Sequence, residues 1–165
     1  NAAVQTSGRL VDCTEDDWDR TIATNLDAVF WACRAALPAM LEGDRGSIIN
    51  TASVLGLIGS EGYVAYGAAK AGLVALTRQI AVEYGPSVRA NVIAPGSIDT
   101  PRFRKVAAEM DDPEGFVAGL AKTIPLHRLG TAEDVASIAL FLASDLSAYV
   151  SGAVIPADGG LAVYR

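Results

Sequence analysis

Residues 47–70 read SIINTASVLGLIGSEGYVAYGAAK, and two features of that stretch decide the fold. Ser47-Ile48-Ile49-Asn50-Thr51-Ala52 is short, β-branched and nearly continuous in apolar character, as a strand buried on both faces of a parallel sheet would be. A loop with Gly56, Gly59 and Gly62 follows, and the spacing then predicts a helix from about Tyr63 to Tyr84, ended by Gly85-Pro86. Working upstream, Thr14 is an N-cap with an acid three residues on. The apolar positions Trp18, Ile22, Leu26, Val29, Phe30, Cys33, Ala36 and Leu37 then recur at helical spacing, so a long helix should run from Glu15 to about Leu41.

Downstream, Arg89–Ala94 is the next strand candidate, closed by Pro95-Gly96. Residues 97–125 form a long charged stretch with helical patches at about 103–110 and 113–122, the length of a functional lid or binding loop. Thr131 caps a helix through about Ala143, with Val135, Ile138, Ala139 and Leu142 on one face, and Gly152–Pro156 is the last strand. Strands alternating with long helices predict an α/β fold, a doubly wound parallel sheet of Rossmann-like kind. At 165 residues the chain, 1–165, fits one domain.

Composition narrows the function. Half the residues are apolar (51%), yet no uninterrupted run approaches the ~20 residues of a membrane span, and Asn1 to Gln5 carry no basic leader region. A net charge of -6 and scattered basic residues argue against nucleic acid or an anionic membrane as partner. Cys13 and Cys33, without a CxxC or a neighbouring His, read as free thiols of a reducing compartment, which makes the cytoplasm the expected location. No metal-ligand spacing is present, and no metal is expected. The chain begins at Asn1 without a Met and at what reads as a strand end, so the expectation is that an N-terminal half precedes it.

The chemistry-bearing residues converge on one place. Tyr66 and Lys70 are four apart on the predicted helix, so both lie on one face. Such a pair alone is a weak signal, and a lone Ser after a strand is ordinarily a turn residue. Its setting strengthens it. Ser53 ends a strand thirteen residues before Tyr66, and ligands of open parallel sheets bind beyond the strands' carboxyl ends.

Asn1-Ala2-Ala3, Thr24-Asn25-Leu26, Ser53 with Tyr66-Gly67-Ala68-Ala69-Lys70, the Pro95-Gly96 strand end, Arg128-Leu129-Gly130 and Gly152 through Asp158-Gly159-Gly160 together resemble the short-chain dehydrogenase/reductase family, in order and spacing. The likeness extends to members that act as 3-oxoacyl carrier-protein reductases or as sugar or alcohol dehydrogenases. It implies an NAD- or NADP-dependent enzyme that moves hydride between the cofactor and a ketone or secondary alcohol. By the same resemblance Tyr66 is the general acid/base. Lys70 lowers the phenol's pKa and hydrogen-bonds the nicotinamide ribose, and Ser53 donates to the carbonyl oxygen as charge develops. Asn25, a poor helix former inside the first helix, would make a local break that holds a water in the proton relay from Lys70. Cofactor contacts are implied for Asn1, Tyr66, Lys70, Pro95, Gly96, the Ile98 backbone and the Thr100 side chain, with Gly96 allowing close backbone approach.

The family's glycine-rich phosphate loop lies outside the sequence, as does the residue that chooses between NAD and NADP, so only the C-terminal part of the fold is expected here. Ala3 stands where the family has Gly. The rival reading is a non-catalytic half-domain or oligomerisation module that keeps these residues without cofactor binding. His127, alone in Pro125–Leu129, reads as structural or surface, and Arg128 as a former of loop or helix-end hydrogen bonds. The resemblance implies a small-molecule carbonyl or alcohol substrate, and a lid with Arg102, Arg104 and Lys105 beside Phe103, Val106, Met110, Phe116, Val117 and Leu120 permits anything from an acyl-thioester ketone to a sugar or a small alcohol. Ala28, Trp31, Ala32, Ala35 and Ala39 exceed what one buried stripe needs and point to a homo-oligomer, a tetramer of two-fold contacts.

Overall fold

Thr14 begins the first helix as its sequence position predicts. In the computed structural model, which describes residues 3–43 and 45–164, its hydroxyl accepts from the Asp17 N–H at 3.1 Å, and Glu15, Asp16 and Asp17 set negative charge against the helix's positive end. Helix α1 (Glu15–Ile22) does not stop there. One π turn, Ala23–Asp27, carries it into α2 (Ala28–Glu42), so the expected long helix exists with a local widening at Asn25. Pro38 sits inside α2 on its exposed side, a residue over which the periodicity gave no sign of a break.

Three strands, β1 (Gly46–Thr51), β2 (Val88–Pro95) and β3 (Val154–Ala157), form a parallel sheet in the order β1-β2-β3, with β1 and β2 in register from Gly46↔Val88 to Thr51↔Ile93. Between them lie α3 (Val64–Tyr84), α4 (Pro101–Ala107), α5 (Pro113–Lys122) and α6 (Ala132–Ala143), and α7 (Leu161–Tyr164), which no sequence signal marked, follows β3. The two-residue period of a strand sends alternate side chains to opposite faces. Ile48 joins Cys33, Leu37 and Ile80 of α2 and α3 in one buried cluster, whereas Ser47 donates to the Leu142 carbonyl of α6 at 2.8 Å. The sheet is therefore covered on both faces.

Leu73 of α3 is fully buried against Ala52 and Val92, a burial of roughly 1.5–3 kcal/mol for a Leu side chain. Asn50 donates to the Thr77 hydroxyl at 2.9 Å, which in turn donates to the Leu73 carbonyl at 2.7 Å, so the polar groups between sheet and helix are paired. On the opposite face Arg89 donates to the carbonyls of Leu142, Ser144 and Val150, fastening the end of α6 to β2.

The outer edge of β1 borders a groove of about 650 Å³, walled by Ala28, Val29, Ala32, Cys33 and Ala36 of α2 and reaching Asn25 and Lys70. Asn1 and Ala2 lie outside the described residues. Ala3 and Val4, read as the end of a strand, have no strand pairing; their carbonyls instead accept from the side chains of Arg102 and Asn25. No helix among the described residues is long and apolar enough to cross a membrane.

Candidate active site

The strand end, one turn and one helix build the centre of the site. Ala52 N–H donates to the Ile93 carbonyl at 2.8 Å, holding the chain in the sheet one residue past β1. Ser53 is extended (φ -166°, ψ 156°) and opens a 3₁₀ turn, Val54–Gly56, its hydroxyl oxygen accepting from the Leu55 N–H at 3.2 Å. That leaves the Ser53 proton free to donate. The turn presses on α3 because Gly56 has no side chain: a Cβ there would lie 2.7 Å from the Lys70 carbonyl carbon.

Tyr66 and Lys70 emerge one turn apart on α3. The Lys70 ammonium lies 5.6 Å from the centre of the Tyr66 ring and donates to the Thr51 carbonyl at 3.0 Å, so a charged group only 5% exposed is fixed by the end of β1. Its other two N–H donors remain for ligands. Burial depresses the Lys70 pKa from its ordinary value.

The Tyr66 phenol shifts the other way from the fall expected beside an ammonium. Burial of the half-buried phenol pushes it above the usual tyrosine value, and the groups that oppose this are the Ser53 hydroxyl and the Arg102 guanidinium. Lys70 stands over the ring and donates to the Thr51 carbonyl. Arg102, on the first turn of α4, had no assigned role in the sequence, and only its place in the charged lid could have drawn attention to it.

Asn25 occupies the π turn, where both of its amide protons are used, on the Val4 carbonyl at 2.7 Å and the Thr21 carbonyl at 2.9 Å. Its Oδ1 is buried without a hydrogen-bond partner, in a residue 1% exposed. A buried acceptor left over calls for a donor. Asn25, Thr51 and Lys70 line the same groove.

The segment after β2 is pinned from one side. Ile98 and Gly130 form a parallel bridge in which Asp99 N–H donates to the Gly130 carbonyl at 2.8 Å and Gly130 N–H to the Ser97 carbonyl at 3.0 Å. Such a bridge turns Ile98's own amide and carbonyl to the other side. Thr100 caps α4, accepting from the Phe103 N–H at 3.2 Å and keeping its hydroxyl proton. At Gly96 a Cβ would meet the Asp158 Cβ at 2.9 Å, so its missing side chain also makes room for the turn after β3. Pro95 ends β2 beside Ala157. Asn1, also read as a cofactor contact, lies outside the described residues.

His127 is exposed, in the left-handed region at φ 50°, and Arg128 pairs with Asp134, whose carboxylate also accepts from Thr131 N–H in a capping box. Neither belongs to the site. Cys13 and Cys33 are free thiols, and burial raises the Cys33 pKa.

Residues 1–162 match the family model described as enoyl-(acyl carrier protein) reductase. The chain is similar to the 3-oxoacyl-[acyl-carrier-protein] reductase FabG of Chlamydia pneumoniae, 41% identical over 98% of this chain and 63% of that protein. It is similar also to the inactive 2-(S)-hydroxypropyl-CoM dehydrogenase 2 of Xanthobacter autotrophicus, 42% identical over 98% of this chain and 70% of that protein. Among solved structures, a gluconate 5-dehydrogenase from Burkholderia cenocepacia in complex with NADP and tartrate superposes with a TM-score of 0.90 at 30% identity, over 99% of this chain and 63% of that one. The chain thus spans less than two thirds of the length of the Chlamydia reductase.

Proposed function

The chain belongs to the short-chain dehydrogenase/reductase family, and on that premise we propose that the natural-length protein is an NAD- or NADP-dependent oxidoreductase interconverting a ketone and a secondary alcohol. Tyr66 is its general acid/base. The observation that carries the reading is the convergence of Ser53, Tyr66 and a buried Lys70, locked to the Thr51 carbonyl, at the carboxyl end of β1.

The residues present suit a nicotinamide. Lys70 has two spare donors, Ile98 has an outward amide and carbonyl, and Thr100 keeps a hydroxyl proton, all on segments that follow the strands' carboxyl ends. When bound, the nicotinamide supplies or accepts the hydride. Lys70 would hold its ribose, with Ile98 and Thr100 on its carboxamide and Pro95, Gly96 and Asn1 completing the neighbourhood.

In the reducing direction the Ser53 hydroxyl donates to the substrate carbonyl oxygen, and the phenol of Tyr66 delivers its proton as that oxygen becomes basic. A phenol whose pKa is raised keeps that proton at neutral pH, which suits an acid. In the oxidising direction the same phenol must first lose it. Lys70 and the orphaned Oδ1 of Asn25 face one groove, where a water donating to Asn25 would pass protons between the ammonium and solvent.

The alternative, a half-domain or oligomerisation module without catalysis, takes its support from the relative named inactive. Joint retention of Asn25, Ser53, Tyr66 and Lys70 favours catalysis. Two free thiols fit the cytoplasm. Ala28 and Ala32 are exposed along the β1 groove, whereas Phe30 and Trp31, 42% and 56% exposed, give α2 an apolar face for a second copy in a tetramer. Incubating the natural-length protein with NADH or NADPH and a panel of ketones tests the proposal. Oxidation of either cofactor that depends on a ketone supports it, and none with any ketone refutes it.

A further inference from the structure

Resting on the reading of Asn25 as part of the proton relay, we infer that Thr6 and Thr21 are its positioning residues: the hydrogen bond they share ties the segment of residues 4–8 to α1 and so fixes the direction of the Asn25 amide. Half-buried and exposed residues alternate from Val4 to Gly8, the pattern of an extended chain laid along a surface. Val4 meets Asn25 and Thr6 meets Thr21. Two residues of extended chain, about 6.7 Å, are thereby matched to four residues of helix, about 6 Å. Farther along, the Gly8 N–H donates to the Gly62 carbonyl at 2.8 Å, just before the helix that carries Tyr66 and Lys70.

Thr21 departs from the habit of a buried helical threonine. On α3 the Thr77 hydroxyl donates to the carbonyl four residues back at 2.7 Å. Thr21 is as deeply buried, at 0% exposed, yet its hydroxyl shares a 2.9 Å hydrogen bond with Thr6 on the neighbouring segment. Beside that bond the Asn25 amide is slung between the two segments, one proton on the Thr21 carbonyl at 2.9 Å and the other on the Val4 carbonyl at 2.7 Å. With both protons committed, Oδ1 has one direction left, and Asn25 lines the groove that holds Lys70. A change in the spacing of the two segments turns the amide and takes Oδ1 with it.

The consequence is specific to one stage of the cycle. Reduction uses the Tyr66 proton once per turnover, and the relay replaces it. A misdirected Asn25 therefore slows the return of the proton and leaves its first delivery unchanged.

The test uses Thr6→Val in the natural-length protein, which keeps the shape of the side chain and removes the hydroxyl. Steady-state kcat for reduction of a neutral ketone should fall by about tenfold, the size of one hydrogen bond, with KM and the single-turnover rate of the cofactor-saturated protein within about twofold of wild type. Added imidazole, a small proton donor, should restore much of the lost kcat. Thr6→Ala, which also lacks the hydroxyl, should behave alike, and Thr6→Ser, which returns it, should turn over as the wild type does.

A single-turnover rate that falls together with kcat, and no response to imidazole, would overturn the inference, because the pair would then serve the fold of the whole site. Wild-type kcat in both Thr6→Val and Thr6→Ala would overturn it too. Asn25→Ala separates this claim from the one beneath it. Loss of kcat there with none in the Thr6 variants removes the positioning role alone, whereas full kcat in Asn25→Ala removes the relay itself.

Discussion

Replacing Gly56 with Ala should separate Ser53 from α3 and damage activity more than stability. The added Cβ would lie 2.7 Å from the Lys70 carbonyl carbon and 2.9 Å from both the Lys70 oxygen and the Ala71 nitrogen, all of them backbone atoms. The turn and the helix must part by about 0.7 Å to reach ordinary contact at 3.4 Å. Overpacking of this kind costs about 1–3 kcal/mol, and at this length each kcal/mol lowers Tm by roughly 2–4 °C. Ser53 opens the same turn, so its hydroxyl moves relative to Tyr66 by a comparable distance, and a misplacement of ~1 Å costs about 10²-fold in rate. Gly59→Ala is the control, since a Cβ there meets nothing within 4 Å. Thermal melts and steady-state reduction of a neutral ketone by the natural-length protein read both effects. A Gly56→Ala variant with unchanged Tm and turnover would refute the claim that this contact sets the spacing of Ser53 and Tyr66.

Thr77→Val removes the acceptor of the buried Asn50 amide and should cost about 1–3 kcal/mol in denaturant melts, the penalty of an unsatisfied buried donor. Lys70 has a folded-state pKa below its ordinary 10.5, so the unfolded chain holds the extra proton; stability should rise with pH between those two values, and Lys70→Met should abolish that rise in melts at neutral and alkaline pH. Trp31→Arg places a charge on the apolar face of α2 and should lower the mass seen by light scattering, whereas a wild-type protein already of monomer mass would remove the oligomer.

Much of the fold was legible because its signals are local. Thr14 and Thr131 cap their helices where an acid three residues on completes the pattern, and the apolar run at Ser47–Thr51 is a strand of the parallel sheet. The alignment of Ser53, Tyr66 and Lys70 was legible through helix period and strand end. Non-local facts were not. That burial raises the Tyr66 pKa and that Gly96 makes room for Asp158 both depend on residues brought together by the tertiary fold. The π turn at Asn25 was foreshadowed only as a break, since amide bonds to Val4 and Thr21 fix its form.

Single-turnover reduction of a neutral ketone by cofactor-saturated Tyr66→Phe, beside the wild type, addresses the acid/base claim at its centre. The substitution removes one hydroxyl and its proton, and cofactor affinity measured by titration separates chemistry from binding. The chemical step should slow by at least ~10²-fold while NADH or NADPH affinity stays within about threefold. A Tyr66→Phe variant that reduces the ketone at the wild-type rate would contradict the assignment.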